Sequence, residues 1–183
     1  CCSVGAINNA KLICDRLNVP HYTLDFTDIF RSSVVDNFAD EYLNGRTPNP
    51  CVRCNSFVKW DAFIDQANQL GADYIATGHY ARTKKQNGLT QLLKGSDPDK
   101  DQSYFLHQIP QEAIARTVFP IGDLKKTEVR ALARSLGLPN SDRKDSTGIC
   151  FIGERRFKEF LSRYLPKHPG TIRTLRGEIV GEH

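Results

Sequence analysis

The chain has 183 residues, 39% hydrophobic and 25% charged, which is enough for one sizeable core and reads as a soluble globular protein. No run approaches the roughly 18 apolar residues of a membrane span, and the first residues lack the basic, apolar and small-residue regions of a signal peptide. The setting expected is therefore the cytosol, or the mitochondrion in a eukaryote. The formal charge of +4 hides an asymmetry: residues 1–43 hold 3 basic and 6 acidic side chains of the 25 and 21 in the chain, leaving 22 and 15 in the remainder. That balance permits a polyanionic partner without requiring one.

In chain order, Ile7, Ala10, Cys14 and Leu17 recur at helical spacing, and the run His21 to Phe26 after Pro20 predicts a short strand. Val34, Val35, Phe38 and Tyr42 define a second helix that should cap near Asn44 and Gly45. A rigid TPNP turn follows, because Pro48 and Pro50 fix the backbone on either side of Asn49. Phe57, Trp60, Ile64 and Ala67 give a third helix ending at Gly71, and Asp73 to Thr77 is a brief β-favouring run that stops at Gly78 and His79. Helices alternating with short apolar strands predict an α/β fold with a parallel sheet flanked by helices, where ligands bind at the carboxyl ends of strands. Asn87 and Gly88 mark a hairpin turn, Val129 to Leu136 a helix stopped by Gly137, and Phe157 to Leu165 a helix stopped by Pro166. The run after Pro169 reads as two strands about Gly177. This sets 1–168 as one domain and 169–183 as the start of a smaller β-rich one. No GxxxxGK or GxGxxG phosphate loop occurs, and the chain is expected to be cut at both ends.

Six cysteines are too few for a disulfide scaffold, and three of them have chemical surroundings. Cys51 and Cys54 form a CxxC turn around Arg53. Cys150 follows Lys144 and precedes Arg155 and Arg156, with Ser146, Thr147 and Gly148 as a polar approach and Gly153 and Glu154 leading on. Nearby cations and a helix N-terminus stabilise a thiolate, and Cys54 is expected at or near the start of the helix carrying Phe57 and Trp60, which makes it the better nucleophile of the pair. The plainer readings stay open at this point. Cys150 could fill a core position between Ile149 and Phe151. Two cysteines at this spacing supply half of a zinc shell, and Cys51, Cys54 and Cys150 could ligate an iron–sulfur cluster with one open position. His79 reads equally as a ligand contact or a solvated turn residue, and Lys100, Asp101 and Gln102 before Tyr104 and Phe105 read as an RNA-contacting loop or a solvated helix start. Cys1, Cys2 and Cys14 are taken as packing residues or remnants of the expected cut.

The segments GRTPNPCVRCN, GADYIATGHYAR, KDQSYFL, FPIGDLKKTEVR, KDSTGICFIGERRFKEFL and PGTI, in this order, resemble the tRNA-specific 2-thiouridylases, enzymes of the ATP-pyrophosphatase (PP-loop) type. The resemblance implies adenylation of the wobble uridine C2 oxygen by ATP, with Mg2+, followed by attack of a persulfide sulfur supplied by a donor protein. It also implies a role for each matching residue. Cys150 would carry the persulfide and Cys54 would release it as a disulfide. Asn49, Pro50 and Cys51 would contact the target base, Gly78 the ATP, and His79 and Lys100, Asp101 and Gln102 the tRNA. Some members have Asp where this chain has Cys51, so an acid–base role there is weakened. The family's SGGxDSS phosphate loop is not in the sequence, and the 183 residues by themselves are expected not to adenylate uridine. Methyl transfer, an older label for such sequences, would give the thiol pair no role. An iron–sulfur thiolase and an RNA-binding module without chemistry are the alternatives.

Overall fold

The computed structural model describes residues 4–145, 148–153, 157–164 and 169–183. The first helix, Val4–Leu17, has the expected spacing but buries none of its side chains, and Leu12 and Leu17 are more than half exposed. The strand expected over His21 to Phe26 does not form. Tyr22 and Leu24 point to solvent, and among the described residues no neighbouring strand offers the ladder bonds that would hold this run extended.

Residues 27–43 are one helical rod in three parts: Thr27–Phe30, a π-helical turn at Arg31–Val35, and Asp36–Leu43. Val34 and Phe38 lie on its inner face, each about 1% exposed. The rod ends as its sequence requires. Gly45 takes a left-handed φ of 69°, and the Gly45 and Arg46 N–H groups reach back to the Tyr42 and Glu41 carbonyls.

A second rod covers 50–69, again with a π-helical centre at Cys54–Ala62 between Pro50–Arg53 and Phe63–Gln69. Trp60 and Ala67 on its inner face pack with Ile75, Ala81, Leu106, Ala113, Ile114 and Phe119 to form the larger core. The Trp60 Nε1–H donates to Thr117 Oγ1 at 2.8 Å, and that hydroxyl donates to the Ala113 carbonyl at 2.8 Å, so the buried indole leaves no donor unpaired.

The molecule is α/β. Strand β1, Ile75–Ala76, pairs in parallel with β4, Thr117–Val118, and helices flank the pair. Between them run an antiparallel hairpin of β2, Ala81–Gln86, and β3, Leu89–Lys94, and the short helix Gln111–Ala115. Asn87 and Gly88, at φ 51° and 77°, form the hairpin turn expected of an Asn-Gly pair. At Gly122, a Cβ would collide with the Ala81 carbonyl, which explains a glycine in the FPIGDL segment.

The helix Lys126–Ser135 is started by two acidic groups: Glu128 accepts from the Lys125 N–H at 2.6 Å and Asp97 from the Lys126 N–H at 2.8 Å. Its apolar stripe remains partly open, with Leu132 and Leu136 about half exposed. A second, smaller core joins Phe38 to Ile152 and Phe160, the latter on helix Phe157–Leu161, and the stop expected at Leu165 and Pro166 lies outside the described residues. The last strands, β5 (Thr171–Arg173) and β6 (Ile179–Glu182), form an antiparallel pair, with Gly177 in the turn between them.

Candidate functional site

Asn49 stands at the head of the 50–69 rod. Its side-chain oxygen accepts from the Val52 N–H at 3.3 Å, and Pro50 occupies the first turn, where its missing N–H costs nothing. The rod therefore starts at Pro50, four residues before Cys54. Cys54 thus lies near the start of the rod, as expected, but not at its end: Cys51 lies in the first turn and Cys54 in the second, where the terminal dipole has largely faded.

Both thiols are half-buried, and burial is the main influence on them, pushing each thiol pKa up rather than down. The charge of Cys150 adds to the rise at both sites, and at Cys54 the Cys51 charge adds again. Cys51, Cys54 and Cys150 thus act on one another electrostatically, although nearly 100 residues separate the CxxC turn from Cys150. Among the described residues one cation, Lys59, opposes the rise at Cys51 and Cys54.

Arg53, the cation expected to activate the pair, is committed elsewhere. Its Nε–H donates to the Ser33 carbonyl at 2.7 Å, and its guanidinium lies 4.6 Å from the centre of the Phe57 ring. The sequence reading missed Lys59 because it lies five residues after Cys54. That spacing is off the shared face of an α-helix, but it aligns in the π-helical turn that the rod adopts here.

Cys150 is exposed. The reading of it as a core filler is overturned: its neighbours Ile149, Phe151 and Ile152 turn inward onto Phe38, leaving the thiol on the outer side. The Phe38 ring meets Phe151 edge-on at 5.3 Å. On the N-terminal side of the loop, Asp145 accepts from Lys100 at 2.8 Å and pairs with Arg130 at 3.1 Å and Lys126 at 3.3 Å. The Lys100 hydrogen bond leads the influences that hold the Asp145 carboxyl far below the usual range. The Cys150 loop is thereby tied on both flanks. Ser146, Thr147, Glu154, Arg155 and Arg156 lie outside the described residues, as do Cys1 and Cys2.

Gly78 is exposed just past the carboxyl end of β1, and a Cβ there would meet nothing within 4 Å. A nucleotide could approach the open backbone at this strand end without clash. His79 turns the other way, against Trp60 and Phe119, with ring centroids at 5.4 and 6.4 Å. Its Nδ1 is 3.0 Å from Thr77 Oγ1 and its Nε2 is 3.4 Å from Lys59 Nζ. An ammonium only donates, so Nε2 is the acceptor and Nδ1–H donates to Thr77. Burial first, then the Lys59 charge, lowers the His79 pKa to about 4, so the ring is neutral near pH 7.

Of the three residues from 100 to 102, Lys100 is engaged with Asp145, and the other two hold backbone. Asp101 accepts from the Gly95 and Ser103 N–H groups, and Gln102 accepts from the Tyr80 N–H at 3.0 Å. Gln102 thus secures the backbone next to His79, and Asp101 the backbone at Gly95 and Ser103. Among the described residues no group of three or more His, Cys, Asp or Glu side chains is arranged to hold a metal ion, and the cluster and zinc readings are not carried forward. A cavity of about 390 Å³ lies elsewhere, lined by residues including Arg82, Lys84, Leu93, Phe119 and Asp123, and none of the three thiols borders it.

The sequence profile of the tRNA methyl transferase HUP domain matches residues 1–154. The chain belongs to this HUP-domain family. Over all 183 residues it is 55% identical to the tRNA-specific 2-thiouridylase MnmA of Methylococcus capsulatus, 56% to that of Nitrosomonas eutropha and 51% to that of Pseudomonas aeruginosa. Those alignments cover 49%, 51% and 49% of the respective relatives, so the chain spans about half the length of the curated relatives it matches. As a HUP-domain chain it has the α/β architecture with a parallel pair at its centre, and the thiol site lies within the matched span.

Proposed function

We propose that this HUP-domain chain carries the sulfur-transfer site of a tRNA 2-thiouridylase. The observation that supports it best is that Cys51, Cys54 and Cys150, remote in sequence, influence one another's charge, with Cys150 exposed and Cys51 and Cys54 half-buried.

In this reading ATP adenylates the C2 oxygen of a uracil, releasing pyrophosphate and making AMP the leaving group. The outer sulfur of a Cys150 persulfide attacks C2, and the C2–O bond to AMP breaks. The Cys54 thiolate then attacks the Cys150 sulfur. A Cys54–Cys150 disulfide forms as the persulfide S–S bond breaks, the sulfur stays on C2, and an external thiol reductant restores both cysteines. Burial of Cys54 suppresses premature reaction with solvent oxidants, while exposure of Cys150 admits a sulfur-donating protein. Asn49, Pro50 and Cys51 form the capped first turn that leads into Cys54, which suits contact with a target base, and Gly78 supplies an open strand end for ATP. Lys100, though paired with Asp145, is the cation of its segment suited to a tRNA phosphate, and the neutral His79 ring, engaged at both nitrogens, would support the site from within. A reducing compartment such as the cytosol fits thiols that must cycle; in the described residues no helix is long and apolar enough to cross a membrane. Residues 169–183, as an independent hairpin, would begin a separate β-rich unit. Methyl transfer, the chemistry in the family's label, would leave both cysteines without a task.

The test is a chimera in which this chain replaces the matching half of the Methylococcus capsulatus relative, supplied with ATP, unmodified tRNA and a labelled persulfide donor. The chimera should label tRNA, and Cys150→Ser and Cys54→Ser should each abolish labelling. Undiminished labelling by the Cys150→Ser chimera would refute the reading.

A further inference from the structure

Outside the residues matched to the family's known roles, one side chain links the CxxC thiols to His79, and it is Lys59: it contacts the His79 ring, and its charge acts on Cys51 and Cys54. Its ammonium is half-buried on the π-helical turn Cys54–Ala62, five residues after Cys54 and therefore one π-turn along the same face. From there it reaches Nε2 of His79 at 3.4 Å. His79 is itself fixed by Thr77 at Nδ1 and by the Trp60 and Phe119 rings, so the cation leans on a rigid, neutral support.

We propose that Lys59 is the charge-setting residue of this site: held by the neutral imidazole of His79, its ammonium faces Cys54 and Cys51 and favours their thiolate forms. It is a positioning residue, because it acts on the nucleophile rather than on substrate. The proposal rests on the sulfur-transfer reading for its purpose but not for its physics.

The need for such a cation follows from the fold. Cys54 lies too far along its rod to gain from the helix terminus, Arg53 is spent on Ser33 and Phe57, and Cys51 and Cys150 are themselves anions when ionised. Among the described residues, the groups whose charges act on Cys54 are Lys59, Cys150 and Cys51, and Lys59 alone of these favours ionisation. The π-turn also explains the geometry. In an α-helix a residue five along points away from Cys54, whereas the wider turn brings it back into line, and such turns recur at functional sites.

The role of His79 follows in turn. A protonated imidazole would repel the ammonium and drive it from its seat, so the ring must remain neutral wherever the site works. Its apolar enclosure by Trp60 and Phe119 ensures this.

The experiment measures iodoacetamide alkylation of Cys54 in the 183-residue chain across roughly pH 6 to 10, a range that spans ordinary thiol ionisation. Cleavage after Arg53 places Cys51 and Cys54 on separate tryptic peptides, so mass spectrometry reads each thiol by itself. In Lys59→Met the Cys54 profile should move up by about one pH unit, and alkylation near neutral pH should slow about tenfold. Lys59→Arg, which keeps the charge, should return the rate to within about threefold of the parent. A Lys59→Met profile superimposed on the parent's would overturn the proposal, and so would an Arg variant as slow as the Met variant. If Lys59→Met does not fold, Lys59→Gln carries the same test. No tRNA or ATP is present in this measurement, so its failure is separate from a failure of the chimera to thiolate tRNA.

Discussion

At His79 one imidazole ring joins packing, charge and pH. Its folded pKa of about 4, against an ordinary value of 6.5, means that the unfolded chain binds more protons between those two values. Stability is therefore complete above pH 6.5 and falls as the pH drops toward 4, by up to about 1.4 kcal/mol per pH unit from this residue. His79→Gln removes the titration while keeping a neutral polar side chain. Urea unfolding should accordingly show the parent losing more stability than the variant between pH 7 and pH 5, and equal losses would place the ring in solvent. Nothing in the sequence could have shown this environment: a histidine after Gly78 is compatible with solvent or core, and only the packing of Trp60 and Phe119 decides.

The 50–69 rod shows which parts of a helix a sequence reveals. The spacing of Phe57, Trp60, Ile64 and Ala67 announced the helix and Gly71 its end, since apolar periodicity and a stop residue are local signals. The start was displaced, because TPNP reads as a turn until Asn49 is recognised as the cap and Pro50 as the first helical residue. The π-helical centre left no local signal, so Arg53 looked like the partner of the thiols and Lys59 did not. Asn49 also separates two duties. Asn49→Ala should cost about 1 kcal/mol through the lost cap, while Asn49→Ser, which can still cap, should unfold close to the parent in urea. If Asn49 also contacts the base, both variants lower thiolation in the chimera. An Ala variant as stable as the parent would show that the 3.3 Å bond contributes nothing.

Across the whole molecule, the alternation of helix and strand was legible, and so were the Asn87–Gly88 hairpin and the final β pair, each carrying its own turn residues. The run His21 to Phe26 was not, because a strand exists only with a partner and pairing is not written in six residues. Long-range charge was equally hidden: the three cations on Asp145 come from Lys100 and from the helix Lys126–Ser135, far apart in the sequence. The motifs singled out Cys54 and Cys150, yet the mutual influence of their charges is a property of the fold, in which Ile149, Phe151 and Ile152 pack on Phe38 and leave Cys150 exposed. The most direct measurement loads Cys150 of the 183-residue chain with a persulfide from a small donor, then follows hydrosulfide release and maps the resulting disulfide. Attack by Cys54 should free one hydrosulfide per chain and leave a Cys54–Cys150 link, and Cys54→Ser should keep the persulfide intact. Release at the parent rate from Cys54→Ser, or a link confined to Cys51 and Cys54, would contradict the account.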